Sequence, residues 1–179
     1  RQSRNDMASL DYIKIKTFGV ETCWGIRPGI GTGTLKEFRF KSGLTVFLHN
    51  YHTLKPLASY NNGASPCFGF RFCLSGHTRL NLDCFKKSLI VKSGDSGFFY
   101  SPDMISSHKD MPETHIQKAL ILIEPSSFLP LLEQDLDSLR FKLNISPGSN
   151  AGVYEPYHAQ GILTSAMRVI LQQLFACPY

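Results

Sequence analysis

Between residues 34 and 124, apolar and polar positions alternate in short runs that are separated by turn signals. Alternation with a period of two is typical of β-strands, because successive side chains point to opposite faces. Turn residues such as Gly43 and Ser75-Gly76 lie between the runs, and no helical pattern separates them. The pattern therefore predicts a mainly β protein, a sandwich or barrel rather than β-α-β units. The predicted strand segments are Thr34–Phe40, Leu44–Tyr51, Phe68–Leu74, His77–Cys84, Leu89–Val91, Phe98–Ser101 and Gln117–Glu124.

After Glu124 the pattern favours helices. Ser126 or Ser127 can cap a short helix that runs through Gln134, and Tyr157–Ala176 predicts one longer helix. The apolar residues of the longer helix form one face, which suits either dimerisation or packing back on the β region. That face consists of Leu163, Met167, Ile170 and Leu174. We therefore divide the chain into an N-terminal arm (1–33), a β domain (34–124) and a helical segment (125–179).

Composition and charge narrow the class of protein. The chain has 179 residues, enough for one substantial core, and its net charge of +5 is scattered rather than clustered. A scattered charge predicts a solvated surface and not a DNA-binding face. The odd number of cysteines excludes a framework in which every cysteine is paired, so we expect reduced thiols and a cytoplasmic protein. We expect no membrane segment and no signal peptide, and we interpret a chain that begins at Arg1 as a fragment of a longer protein.

Candidate catalytic chemistry is sparse in the sequence. His49 and His52 are three residues apart and therefore point to opposite faces of a strand, and no carboxylate occurs between His52 and Asp83. A metal site on one strand needs ligands that share a face. The sequence also has no G-x-S-x-G motif and no local cysteine–histidine signature. We therefore predict no catalytic residue, no metal and no cofactor, and we expect the protein not to be an enzyme.

Aromatic residues in the β segments indicate a candidate ligand pocket. Phe47, His49 and Tyr51 share one face of their strand because all three occupy odd positions. We add Phe70-Arg71-Phe72 from the next predicted strand, and Trp24 from the N-terminal segment. Small-molecule sites are usually lined by aromatic side chains with a few polar groups. An ordinary filled barrel core fits the same pattern, so both interpretations stay open here.

Three phrases of the sequence resemble those of known families. Val91–Asp103 is similar to the cupin phrase in which Pro-Gly-Asp is followed by apolar strand residues and a proline turn. In metal cupins that turn leads to a ligand histidine, whereas His108 comes late here. A wider stretch, roughly residues 30–179, resembles the N-terminal regulatory domain of AraC-family transcription regulators, especially the PchR-like branch. Besides the Gly-Asp phrase, Gly69–Gly76 and Ile162–Tyr179 carry this resemblance.

The resemblance implies a cupin-like double-stranded β-helix barrel followed by C-terminal α-helices. It also implies a two-part regulator, in which the barrel senses a small-molecule effector and a C-terminal domain absent from this chain binds DNA. Helices after the barrel often mediate homodimerisation in this family, and the N-terminal arm can act as a lid. The branch responds to ferric siderophores, whose anionic oxygens would suit Arg71 or His49.

Two other functions compete with the sensor. A metal-dependent cupin enzyme, an isomerase or dioxygenase, would use His49, His108 and a carboxylate. A barrel used only for dimerisation would have a completely filled interior.

Overall fold

The computed structural model describes residues 11–63, 65–85, 87–132 and 156–177. The α-helices described are α1 (Pro125–Leu132) and α2 (Ser165–Ala176), and a 3₁₀ turn covers Asp83–Phe85. The strands described are β1 (Tyr12–Phe18), β2 (Glu21–Ile26), β3 (Gly31–Arg39), β4 (Leu44–Thr53), β5 (Leu57–Gly63), β6 (Cys67–Ser75), β7 (His77–Leu82), β8 (Lys87–Lys92), β9 (Asp95–Ser101), β10 (Met104–Asp110), β11 (Thr114–Ile123) and β12 (Tyr157–Ile162).

The strands form two antiparallel sheets that face each other. The larger sheet has the order β1-β2-β3-β4-β11-β6-β9-β12, and the smaller one has the order β5-β10-β7-β8. Residues of both sheets line one interior cavity, so the sheets enclose a common interior. Strands that are distant in sequence, such as β4 and β11, pair side by side. The predicted fold class, a mainly β chain with a cupin-like barrel followed by α-helices, is confirmed.

Strand register places one row of inward-facing residues across the larger sheet. Glu37 of β3 pairs with Phe47 of β4, and Phe47 pairs with Leu120 of β11. Leu120 pairs in turn with Arg71 of β6, which pairs with Gly97 of β9. Because directly opposite residues in a sheet point to the same side, this row faces the cavity together. The row therefore brings two charged side chains into the barrel interior.

The opposite face of the larger sheet packs against the helices. Leu48, Leu74 and Ala119 form a buried cluster with Leu163 and Leu171 from the α2 region. A second cluster unites Phe68, Tyr100 and Phe128, with Phe128 contributed by α1. Both faces of the central strands are thus buried, which explains why β6 is apolar at nearly every position.

The prediction of one helix over Tyr157–Ala176 is wrong for its first part. Residues Tyr157–Ile162 form β12, which pairs with β9 at the edge of the larger sheet. The helix begins only at Ser165, where the Thr164 hydroxyl accepts a hydrogen bond from the Met167 backbone amide at 3.2 Å. Pairing with an available sheet edge outweighs the local helical spacing, because tertiary context overrides propensity. The predicted helical segment 125–179 consequently includes a strand.

The N-terminal segment also contributes strands to the larger sheet. β1 pairs with β2, and β2 pairs with β3, which begins at Gly31 inside the predicted arm (1–33). A lid role for this segment stays a prediction. Residues 1–10, the end of the predicted short helix beyond Leu132, and the last two residues of the resemblance segment Ile162–Tyr179 lie outside the described residues.

Shortening Leu171 should test the docking of α2. Leu171 is 6% exposed within its cluster, so Leu171→Ala is expected to lower the free energy of unfolding by about 2–4 kcal/mol. Val169→Ala is a matched control, because Val169 is 52% exposed on the same helix and its loss should change stability by less than about 0.5 kcal/mol. Urea unfolding measures both. Equal effects of the two substitutions would contradict the docking.

Candidate functional site

The barrel interior contains a cavity of about 130 Å³ between the two sheets. One part of its wall is apolar, and the other part carries charged and hydroxyl groups. The apolar lining residues are Phe47, Leu80, Leu82, Val91, Phe99, Ala119, Leu120 and Leu122. The polar lining residues are Glu37, Arg39, Thr45, His49, Ser59, Arg71, Thr78, Ser106, His108 and Lys118. A mixed wall of this kind is typical of a small-molecule site.

A buried carboxylate organises one polar end of the cavity. Asp110 is completely buried, and Lys118 Nζ donates a hydrogen bond to its Oδ1 at 2.8 Å. The Thr78 hydroxyl also donates to Oδ1, and the Tyr51 hydroxyl donates to Oδ2. Burial alone would raise the pKa of Asp110, but the Lys118 charge, His108 and these hydrogen bonds lower it below its usual range. Asp110 is therefore an anion whose charge is satisfied by the protein.

Tyr51 extends this network to the neighbouring strands. Its hydroxyl oxygen lies 3.3 Å from the Tyr12 hydroxyl and 3.3 Å from His49 Nδ1. Because the hydroxyl hydrogen of Tyr51 is directed to Asp110, its oxygen accepts hydrogen bonds from both neighbours. Burial raises the pKa of Tyr51, so the phenol stays protonated. The network therefore fixes the His49 ring with Nδ1–H towards Tyr51.

Two uncharged histidines lie beside this network. The rings of His49 and His108 are 5.8 Å apart between centroids, and Ser59 Oγ lies 2.8 Å from His108 Nδ1. Burial lowers the pKa of His108 to about 3, and the nearby Lys118 charge adds to the effect. Burial and the same lysine lower the pKa of His49. Both imidazoles are neutral at pH 7 and present lone pairs and N–H groups rather than charge.

Arg71 is the second buried cation of the cavity wall. It is 5% exposed, and its Nη2 lies 3.3 Å from His158 Nε2 on β12. Its Nε and Nη1 have no hydrogen-bond partner among the described residues. Burial lowers the pKa of Arg71, but a guanidinium retains its charge at pH 7. The side chain lies against Gly97, where an added Cβ would be 2.8 Å from Nη2.

The alternative of a metal-dependent cupin enzyme requires His49, His108 and a carboxylate to act as one ligand set. The two rings are neighbours, but the Asp110 carboxylate already binds the Lys118 ammonium, the Thr78 hydroxyl and the Tyr51 hydroxyl. The ammonium supplies positive charge at the position where a cation would bind. The described ranges contain no group of three or more His, Cys, Asp or Glu side chains arranged to hold a metal ion. These residues do not fit a cupin metal.

The structure brings some of the predicted pocket residues together and separates others. Phe47, His49 and Arg71 line the cavity, and Tyr51 lies behind His49 in the hydrogen-bond network. Trp24 packs instead against the buried cluster that contains Tyr12.

Phe70 and Phe72 face the helices and not the cavity. Phe70 packs beside Phe128 of α1, and Phe72 packs against the cluster that contains Leu171. They flank Arg71 directly in sequence, and adjacent strand residues point to opposite faces, so the three side chains cannot share one wall.

Sequence reasoning missed the main polar groups of the site. Lys118 is the one charged residue between Ile116 and Ile123, where Gln117 is the one other polar residue, and this is a signal for a buried functional or structural cation. Asp110 had no comparable signal, because it lies at the end of a polar strand.

The four residues predicted for dimerisation do not share one environment. Leu163 precedes α2 and is buried at 6% exposure. Met167, Ile170 and Leu174 are on α2 and are 39%, 63% and 38% exposed. The actual packed positions of α2 are Leu171 and Phe175.

No helix in the described ranges has both the length and the apolar composition required to cross a membrane.

Comparison with protein families gives one match over most of the chain. The family described as "Regulatory protein PchR N-terminal domain" matches residues 31–179. No curated protein is significantly similar in sequence.

Solved structures with a similar arrangement are distant in sequence. ToxT from Vibrio cholerae, bound to (E)-4-(8-methylnaphthalen-1-yl)but-3-enoic acid, is 12% identical with a TM-score of 0.49, over 75% of this chain and 48% of that one. The AraC-like transcriptional activator CuxR is 13% identical with a TM-score of 0.35, over 68% and 43%. An oxalate decarboxylase variant from Bacillus subtilis is 16% identical with a TM-score of 0.40, over 93% and 46%. The chain thus spans less than half the length of each, and we take no ligand assignment from them.

Separating Lys118 from Asp110 should be strongly destabilising. Asp110→Asn and Lys118→Met each leave a buried charge without its partner, and we expect each to lower the free energy of unfolding by about 3–5 kcal/mol. The double variant should lose less free energy of unfolding than the two single variants lose together. Urea unfolding of the wild type, the two single variants and the double variant measures this difference. Lys36→Met is the control, because the Lys36–Glu21 pair at 3.6 Å is partly exposed and is worth at most about 1 kcal/mol. Strict additivity in the double variant would contradict the pairing.

Proposed function

This chain belongs to the family of regulatory protein PchR N-terminal domains, and we propose that its barrel binds a small-molecule effector for a transcription regulator. The family assignment confirms the resemblance to the PchR-like branch of AraC-family regulators. Under this proposal the domain works in the cytoplasm, binds without catalysing a reaction, and influences DNA through a domain outside this chain. The observation that carries the proposal is the cavity of about 130 Å³ inside the barrel.

The lining of the cavity supports binding of an organic molecule. Leu80, Leu82 and Val91 of the smaller sheet provide apolar contact area, while His49 and Arg71 of the larger sheet provide hydrogen-bonding groups. Apolar walls with a few placed polar groups supply affinity and orientation respectively. A barrel that served only for dimerisation would have no need of an interior space.

A ferric siderophore is the effector class that the family implies. Phe47 would accept an aromatic ring at the cavity wall, Tyr51 would do so only if His49 moved aside, and His49 or Arg71 would contact anionic oxygens. Such a complex is larger than the cavity of about 130 Å³, so its binding would require the sheets to separate. That movement would change the environment of Trp24 only through the cluster that Trp24 shares with Tyr12 and Tyr51.

A single layer of strands, that of the larger sheet, separates the cavity from α2. On β11, Lys118 faces the cavity, while its neighbour Ala119 packs in the cluster with Leu163 and Leu171 and also borders the cavity. On β4, His49 likewise lines the cavity, while its neighbour Leu48 packs in the same cluster. A ligand that binds one arrangement of these strands more tightly shifts the population of α2 positions by its difference in affinity.

Effector binding is expected to stabilise the domain through the cavity. A thermal-shift titration with a panel that includes ferric siderophores should raise the unfolding temperature, because a ligand at 100 times its dissociation constant adds about 2.7 kcal/mol. Val91→Phe should abolish the shift by filling the cavity, since Val91 lines it and is 2% exposed. Ile90→Phe is the control, because Ile90 is 51% exposed on the other face of β8. An equal shift in both variants would show binding elsewhere.

The exposed side of α2 is proposed as the dimer contact. Met167, Ile170 and Leu174 present apolar surface there, whereas Leu163 is buried and stabilises the docking of the helix. Ile170→Glu places a charge in that surface and is expected to shift a dimer towards monomer by sedimentation velocity. Gln172→Glu adds the same charge to an exposed position of the same helix and should leave the assembly unchanged. A wild-type domain that is monomeric at high concentration would refute this contact.

A further inference from the structure

The position of Arg71 points to the chemistry of the effector. Its side chain lies on the inner face of β6, lines the cavity and is 5% exposed. The cross-strand partner Leu120 also lines the cavity, and Phe99 does so two residues beyond the partner Gly97. A guanidinium therefore adjoins an apolar wall inside the barrel.

The hydrogen-bonding capacity of this guanidinium is incompletely used. His158 Nε2 is near Nη2 at 3.3 Å, while Nε and Nη1 have no partner within the part of the chain that the structure describes. A buried charged donor without an acceptor is strongly unfavourable, so buried guanidinium groups are normally paired. Both nitrogens are covered by surrounding protein, so a ligand acceptor reaches their N–H groups only after a local shift of the side chains around the guanidinium.

The other charged groups of the cavity wall are already paired. Glu37 accepts a hydrogen bond from Arg39, and Lys118 is paired with Asp110. Glu37 is in the same cross-strand row as Arg71 but three strand spacings away, which is roughly 14 Å.

Asp95 influences Arg71 electrostatically without forming an ion pair with it. Its Oδ2 accepts hydrogen bonds from the Lys92 backbone amide at 2.9 Å and from Gln160 Nε2 at 3.1 Å. Among the described residues, no carboxylate lies within 4 Å of the Arg71 guanidinium. The described cavity wall therefore presents one positive charge that no ion pair neutralises.

The size of the cavity limits the apolar part of the molecule that pairs with this charge. Cavities of about 150 Å³ lined by leucine, isoleucine and phenylalanine hold a single benzene ring. The present cavity of about 130 Å³ has similar walls in Leu80, Leu82 and Phe99. An apolar group the size of one small ring, or an aliphatic chain of equal volume, fits the cavity without movement of the sheets.

We infer that the effector is a small organic acid whose single carboxylate pairs with Arg71 while its apolar body occupies the leucine-lined part of the cavity. A guanidinium matches a carboxylate because its planar N–H groups form two parallel hydrogen bonds to the two oxygens. This inference rests on the proposed effector-binding function and specifies its ligand class. A monoanion is favoured because only one unpaired positive charge faces the cavity in the described residues.

Benzoate and its neutral isostere benzamide test the inference directly. Calorimetric titration of the purified domain should detect benzoate binding, with benzamide at least about tenfold weaker. Arg71→Met should weaken benzoate by at least about tenfold and leave benzamide unchanged, and Arg71→Lys should give an intermediate loss. Arg79→Met is the matched control, because Arg79 is exposed on the outer face of β7 and its removal should leave benzoate binding unchanged. Inorganic phosphate competes only if Arg71 accepts any anion.

The outcomes separate this inference from the broader proposal. Benzamide binding as tightly as benzoate, unchanged benzoate binding by Arg71→Met, or competition by phosphate at equal concentration would each overturn the carboxylate assignment. Binding of a ferric siderophore, with no binding of benzoate, would overturn it and leave effector sensing intact. A structural role for Arg71 is distinguished by urea unfolding without ligand. Arg71→Met should retain wild-type stability, because it removes a buried charge that lacks an ion-pair partner.

Discussion

The buried carboxylate of Asp110 connects the two sheets of the barrel. It belongs to β10 of the smaller sheet and accepts a hydrogen bond from Thr78 of β7 in the same sheet. Its other partners, Tyr51 and Lys118, belong to β4 and β11 of the larger sheet. A buried charge that loses a partner is strongly unfavourable, so these four side chains fix the distance and the register of the sheets at this end. The shape of the cavity depends on that constraint.

The same constraint determines the electrostatics of the cavity. Lys118 neutralises Asp110 and also helps to keep His49 and His108 uncharged. That end of the barrel consequently offers hydrogen bonds without net charge. Arg71, on the other side of Leu120, offers charge with unused donors. The two ends therefore differ in the groups that they present, and under the proposed function this difference would orient a ligand.

Period-two alternation in the sequence predicted the mainly β fold and seven of the twelve described strands, while β1, β2, β5, β10 and β12 were not predicted. It also placed Phe47 and His49 on one face, which the structure shows to be the cavity face. Apolar character failed to separate Phe70 and Phe72 from Arg71, because both faces of β6 are covered and apolar residues no longer mark one side. On β6, the odd or even position of a residue predicts its face better than its apolar or polar character does.

The remaining errors came from contacts that local sequence does not contain. Tyr157–Ile162 has a spacing compatible with a helix, yet it pairs with β9 because that edge of the larger sheet is available. Asp110 meets Lys118 although their strands belong to different sheets, and only the closure of the barrel brings them together. Trp24 was predicted as a pocket residue, but it packs against the cluster of Tyr12 and Tyr51 and does not line the cavity. Each of these outcomes depends on long-range pairing, which a single sequence does not specify.

The position of His158 relates the cavity to the C-terminal helix. His158 lies on β12, and its Nε2 is 3.3 Å from Nη2 of Arg71. The residue after this strand, Leu163, donates its backbone N–H to the Gly94 carbonyl at 2.7 Å and packs beside Leu171 of α2. Burial and the Arg71 charge both lower the pKa of His158, so the neutral ring accepts from the guanidinium. An anion at Arg71 would offset the guanidinium charge that lowers the pKa of His158. Under the proposed function, occupancy of the cavity would be coupled through the Arg71–His158 pair to the strand that precedes α2.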